Sequence, residues 1–142
     1  MNANRPDLVY FEFPSLNATL RARLLWDENP ELCSLLVAEL PFQTVYSHAF
    51  ASGQCIYAPH RIVGAVKAKN QVLTELPKGT IDLATDNYKT LGIFYGKMTE
   101  PLPNRAVLRV IDEDLDEMDR VGREIFIANY VTHEVHPTEI HL

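Results

Sequence analysis

The stretch LVYFEFPSLNATLRARLLW, residues 8–26, decides the fold class. Its first six residues, Leu8-Val9-Tyr10-Phe11-Glu12-Phe13, are dense in strand formers. From residue 18, Ala18, Leu20, Ala22, Leu24 and Trp26 fall on one face, while Thr19, Arg21 and Arg23 fall on the other. A period of two is the signature of a strand with one buried face. Residues 14–17 supply a turn between the two runs, so the segment predicts an antiparallel hairpin.

The chain then changes period. Asn29-Pro30 is a helix start: Asn29 can accept a backbone N–H as N-cap, and Pro30 suits the first helical position. Glu31 follows in the first turn, where the helix dipole favours an anion. Residues 32–40 are apolar on nearly every side, which predicts a largely buried helix ended by Pro41.

Strand patterning resumes at residues 44–50 and 54–58, separated by a turn at Ala51-Ser52-Gly53. Pro77-Lys78-Gly79 turns into residues 80–85, Asp86-Asn87 turns into residues 88–95, and residues 106–111 read as a further short strand. Residues 61–76 admit two readings, as strands that complete a barrel or as a loop across its mouth.

A second helix is predicted from Asp114 to about Tyr130, with Leu115, Met118, Gly122, Ile125 and Phe126 at helical spacing. The acids Glu113, Asp114, Asp116 and Glu117 read as a solvated helix start rather than a cation site, since nothing makes them converge on one point. Many short strands and two helices predict a mainly β protein, a closed or nearly closed barrel with two covering α-helices.

Composition bounds the partners. The chain has 142 residues, 46% apolar and 23% charged, which fits a single globular domain over residues 1–142, with a core at 8–130 and a polar tail at 131–142. A net charge of −6 with 13 scattered basic residues excludes a nucleic-acid groove or an anionic membrane surface, both of which need clustered cations. The two cysteines, Cys33 and Cys55, fit a reducing cytoplasm, and Cys33 reads as a core thiol. The first seven residues lack a signal-peptide core, and no apolar run approaches a membrane span. A cytoplasmic protein is the expectation.

Two stretches carry a family resemblance. Residues 20–41, LRARLLWDENPELCSLLVAELP, resemble the opening of the cyclophilins, in which a strand ends in an acidic residue and a proline-led helix follows. Residues 76–97, LPKGTIDLATDNYKTLGIFYGK, look like the strand pair ending in Phe-Tyr-Gly in an uncharacterised bacterial family with a cyclophilin-like fold. The resemblance covers residues 8–130. It implies a closed cyclophilin-like barrel of about eight strands. It also implies a homo-oligomer and a kinship with subunits of bacterial allophanate hydrolase.

Cyclophilins isomerise X-Pro bonds with an arginine in a Phe-His-Arg-Ile/Val motif. In the matching strand, VYSHAFASGQCIYAP (residues 45–59), His48 stands where the motif has histidine and Ala49 stands where it has arginine. Alanine offers no donor, so isomerase activity would require a displaced arginine, for which Arg61 is the candidate.

The same strands supply the residues of a ligand pocket: His48, Gln54, Tyr57, Arg61 and Tyr95. An apolar cleft with a few polar groups is the usual form of a small-molecule site. His48 with Arg61 would recognise a carboxylate or a ureide.

The tail motif His133-Glu134-Val135-His136 lacks the spacing of a helical zinc motif and is broken by Pro137, so no metal is assigned. Neither a phosphate-cradling glycine loop nor a nucleophile elbow is present, and no cofactor is expected. The expected function is binding of a small polar metabolite or service as an accessory to a hydrolase or amidase. The alternatives are a proline isomerase with a displaced arginine and a structural oligomer module.

Overall fold

The computed structural model describes residues 5–86 and 89–142. Met1 to Asn4 and the Asn87-Tyr88 part of the predicted turn and strand lie outside the described residues. The predicted hairpin is present as β1 (Leu8–Phe13) and β2 (Ala18–Leu24). Their register pairs Val9 with Ala22, Phe11 with Leu20 and Phe13 with Ala18, so one face of both strands is apolar throughout.

That face continues around the molecule. The remaining strands of the main sheet are β3 (Phe42–Val45), β4 (Ser47–His48), β5 (Gly53–Pro59), β7 (Thr80–Leu83), β8 (Thr90–Met98), β10 (Ala106–Val110) and β11 (Pro137–His141). Their order is β3-β11-β1-β2-β10-β7-β8-β5-β4, all antiparallel. Leu24, Leu108, Ile81, Ile93 and Ile56 follow one another across five of these strands on the inward face.

The two outer positions of the sheet, β3 and β4, are consecutive in sequence and separated only by Tyr46. One extended segment thus pairs with β11 on one side and with β5 on the other, drawing the edges into a nearly closed barrel. Tyr46 is buried, with its ring centroid 5.9 Å from that of Phe13.

The helices differ in part from expectation. The first, α1 (Pro30–Glu39), buries Leu32, Cys33 and Leu36 but leaves Glu31, Ser34, Ala38 and Glu39 exposed, so it is not buried on every side. Asn29 does not cap it through its side chain. Instead its amide donates to the Ala106 carbonyl at 2.8 Å and accepts the Lys69 N–H at 2.6 Å, tying the helix start to a strand and a loop.

The second helix, α2 (Leu115–Ile127), buries Met118, Val121, Gly122 and Ile125, while Phe126 stands partly exposed. Asp114 is not a solvated acid. It is buried, accepting the Arg21 backbone N–H at 2.8 Å and both arms of the Arg21 guanidinium at 2.8 and 2.9 Å. That guanidinium holds its carboxyl below the usual carboxylate range.

Two further expectations are corrected. Residues 137–141 are not a tail: they form β11, inserted between β1 and β3, with Thr138 and Ile140 facing inward. Only two of its five residues are buried, too few to give a visible alternation. The tail histidines are dispersed: His136 pairs with Ser15 at 2.7 Å, while His141 stacks on Tyr10. Among the described residues no group of acids, histidines and cysteines converges on a metal position.

Residues 61–76 do not complete the barrel. Within them only Gln71–Val72 is a strand, β6, and it pairs with β9 (Pro103–Asn104) as a separate two-stranded ribbon. Among the described residues no helix is long and apolar enough to cross a membrane.

The Tyr46 hydroxyl is buried without a hydrogen-bond partner. Tyr46→Phe is therefore expected to match or exceed the parent in urea denaturation, by up to about 1 kcal/mol. Tyr46→Ala empties a core position and is expected to cost about 3–5 kcal/mol in the same measurement.

Candidate functional site

Strand alternation puts Ile81 and Leu83 into the barrel and Asp82 on its outer wall. An outward acid normally meets water, but here the wall is covered. The β6–β9 ribbon lies over it, extended by one further bond from Leu73 N–H to Leu102 O at 2.8 Å. Beneath it Ala49, Cys55, Leu73 and Phe94 form a second apolar cluster, flanked by Leu76 and Met98.

Between ribbon and wall lies a cavity of about 520 Å³, whose lining includes Leu73, Asp82, Leu102, Pro103, Asn104 and Arg105. Asp86 lies exposed on the same lining.

The Asp82 carboxyl keeps part of its surface open on this cavity, yet protein surrounds it closely enough to push its pKa up to about 7. Burial is the dominant cause; the Gly92 N–H and the Asn104 amide draw it part of the way back. The Gly92 N–H donates to Asp82 Oδ1 at 3.0 Å. Gly92 is opposite Asp82 in the sheet, and a Cβ at that position would lie 2.5 Å from the same oxygen. Only glycine lets the carboxyl fold back over the wall in this way.

The sequence-derived site divides between places. His48, Gln54 and Tyr95 do come together, on a cavity of about 530 Å³ shared with Phe50, Arg123 and Phe126. His48 is held on every side there. Ala49 O can only accept, so His48 Nδ1 carries the proton toward it at 2.6 Å, and Nε2 accepts the Tyr95 hydroxyl at 2.5 Å. The Tyr95 ring needs Gly122, since a Cβ there would lie 2.5 Å from the ring. Burial raises the pKa of the Tyr95 hydroxyl, which keeps it a donor.

Tyr57 is on the outer wall, 41% exposed, and lines neither cavity. Arg61 lines a third cavity, of about 670 Å³, with Phe42, Gln43, Thr44 and His60. It does not place a guanidinium beside His48. Ala49 is itself buried in the outer apolar cluster. Cys33 and Cys55 are both buried, and desolvation pushes each thiol to about 12, so neither is a nucleophile.

Sequence reasoning missed Asp82 and Asn104. The available signal was Gly92, a glycine in mid-strand, which marks close approach of another group.

The chain matches no protein-family model and no curated protein. Among solved structures it is similar to McbB, determined in complex with tryptophan, with a TM-score of 0.86 and 28% identity over 94% of this chain. The chain spans 44% of the length of McbB. It also shares its fold with the hypothetical protein AF2241 from Archaeoglobus fulgidus, known from a solution structure. That match has a TM-score of 0.62 and 14% identity, covering 99% of this chain and 98% of the other.

Because the native Asp82 carboxyl binds its proton more tightly than the unfolded one, raising the pH from about 4 to about 7 lowers stability, and the loss is complete above pH 7. Asp82→Asn keeps an acceptor for the Gly92 N–H and removes this dependence. At pH 8 the variant is expected to be more stable than the parent by about 2 kcal/mol, read from denaturation curves at pH 5 and 8.

Proposed function

We propose that this chain is a cyclophilin-like barrel whose outer-wall cavity binds a small aromatic amino acid, with Asp82 exchanging a proton with the bound ligand. The observation that carries the reading is the Asp82 carboxyl, desolvated to about 7, opening on a cavity whose other walls are mostly apolar. A group with that proton affinity near neutral pH is suited to acid–base work.

The cavity volume is within the range of small-molecule sites. Leu73, Leu102 and Pro103 offer apolar surface for a planar ring, and Arg105 offers a guanidinium for a carboxylate. The likeness to McbB, which was captured with tryptophan, supports the ligand class. The cyclophilin-like name is supported by the hairpin followed by Asn29-Pro30 and α1, and by a small barrel with two helices.

Calorimetric titration with tryptophan and phenylalanine tests this reading. Binding is expected to strengthen as the pH rises through 7 and Asp82 ionises. Arg105→Ala is expected to weaken it about tenfold or more. Absence of heat with every aromatic amino acid, together with unmoved NMR signals for Asn104 and Leu73, would sink the proposal.

A further inference from the structure

Among the described residues, few buried side-chain oxygens lack a hydrogen-bond partner, and two of them stand together in the ribbon: Asn104 Oδ1, on a residue that lines this cavity, and Gln71 Oε1, on the residue paired with it. Gln71 and Asn104 are directly opposite each other in the β6–β9 ribbon, so their side chains share one face. Asn104 is 6% exposed and lines the cavity beside Asp82.

Its amide lowers the proton affinity of the Asp82 carboxyl. That is the effect of an amide N–H directed at a carboxylate, and Oδ1, the other arm of the amide, is left without a partner. Neither orphan oxygen is open to bulk water. A buried amide oxygen left unpaired is costly, and both of these can only accept.

We propose that the Asp82 carboxylate, Asn104 Oδ1 and Gln71 Oε1 form a recognition site for a primary ammonium, each oxygen taking one of its three N–H donors. The inference rests on the amino-acid reading above and specifies which group of the ligand the polar end of the cavity takes. A primary ammonium offers three donors and one positive charge, which matches two neutral acceptors and one anion. Taking the ammonium then requires a half-turn of the Asn104 amide, which exchanges Oδ1 with the N–H now directed at Asp82. Arg105 remains for the ligand carboxylate, at the ribbon residue next to Asn104. Asn104 is then the residue that distinguishes ligands by their number of N–H groups.

The test is a titration series on the intact chain with tryptophan, its Nα-methyl, dimethyl and trimethyl derivatives, tryptamine, and indole-3-propionic acid, which lacks the amine. Affinity is expected to fall about tenfold for each N–H lost, in line with charge-assisted hydrogen bonds. Asn104→Leu should flatten that series, and Gln71→Leu should do so in part.

Equal affinity for tryptophan and its dimethyl derivative overturns the ammonium site while leaving the amino-acid reading intact. Binding of tryptamine but not tryptophan leaves the ammonium site standing and overturns the amino-acid reading. If no amine binds, both fall. The parent chain alone supplies these outcomes should Asn104→Leu fail to fold.

Discussion

Everything in this molecule depends on one seven-residue segment occupying both edges of the sheet. Residues 42–45 hydrogen-bond to β11 and residues 47–48 to β5, and the residue between them points into the core. Drawing the edges together in this way leaves little unpaired main chain to attract another strand. It also fixes what the inward face can do. A barrel of this size has an interior just wide enough for its own side chains, and here Phe11, Phe13, Leu20, Tyr46, Ile81 and Ile93 fill it. A ligand must therefore sit outside the wall or against the ends.

The outer wall becomes a site because the chain doubles back over it. Thr80, Asp82, Gly92 and Phe94 all face outward from neighbouring strands, and on a bare barrel all would meet water. The ribbon formed by Gln71–Val72 and Pro103–Asn104 takes that water away. What it leaves is an apolar cluster at one end, around Leu73 and Phe94, and a polar end at Asp82 and Asn104. The electrostatics of Asp82 are thus a property of the cover rather than of the strand that carries it.

This explains how far the sequence could be read. Residues 8–13 and 18–24 alternate cleanly because one face of each strand meets solvent, and that hairpin was legible at once. So were both helices, whose starts are written in Asn29-Pro30 and in the acids at 113–117. The barrel strand at 137–141 was not legible, because with Thr138 as one of its two inward residues it has too little apolar content. His48, Gln54 and Tyr95 do meet on one cavity, since the strands carrying them are neighbours in the sheet, β4 beside β5 and β5 beside β8. Tyr57 and Arg61 were grouped with them by nearness in sequence, but alternation sends Tyr57 to the outside and the chain leaves the sheet before Arg61. Asp82 was hidden for a different reason: its burial comes from residues 71–72 and 103–104, distant in sequence and without a periodic pattern.

The two clusters of polar residues also differ in what their chemistry is for. His48 has both ring nitrogens and its backbone N–H satisfied, by Ala49, Tyr95 and Asn129, and its ring packs edge-on against Tyr95 and Phe126. Such a histidine strengthens the fold and needs no ligand to explain it. Asp82 is the opposite case. The barrel would close as well with an amide or an apolar residue at that outward position, and the buried charge costs stability at neutral pH. Asn104 adds to the cost with an oxygen that nothing among the described residues satisfies. Groups that weaken a fold in the same few ångströms, beside a cavity of ligand size, are not explained by what they hold together, and it is this that the ligand-binding proposal answers.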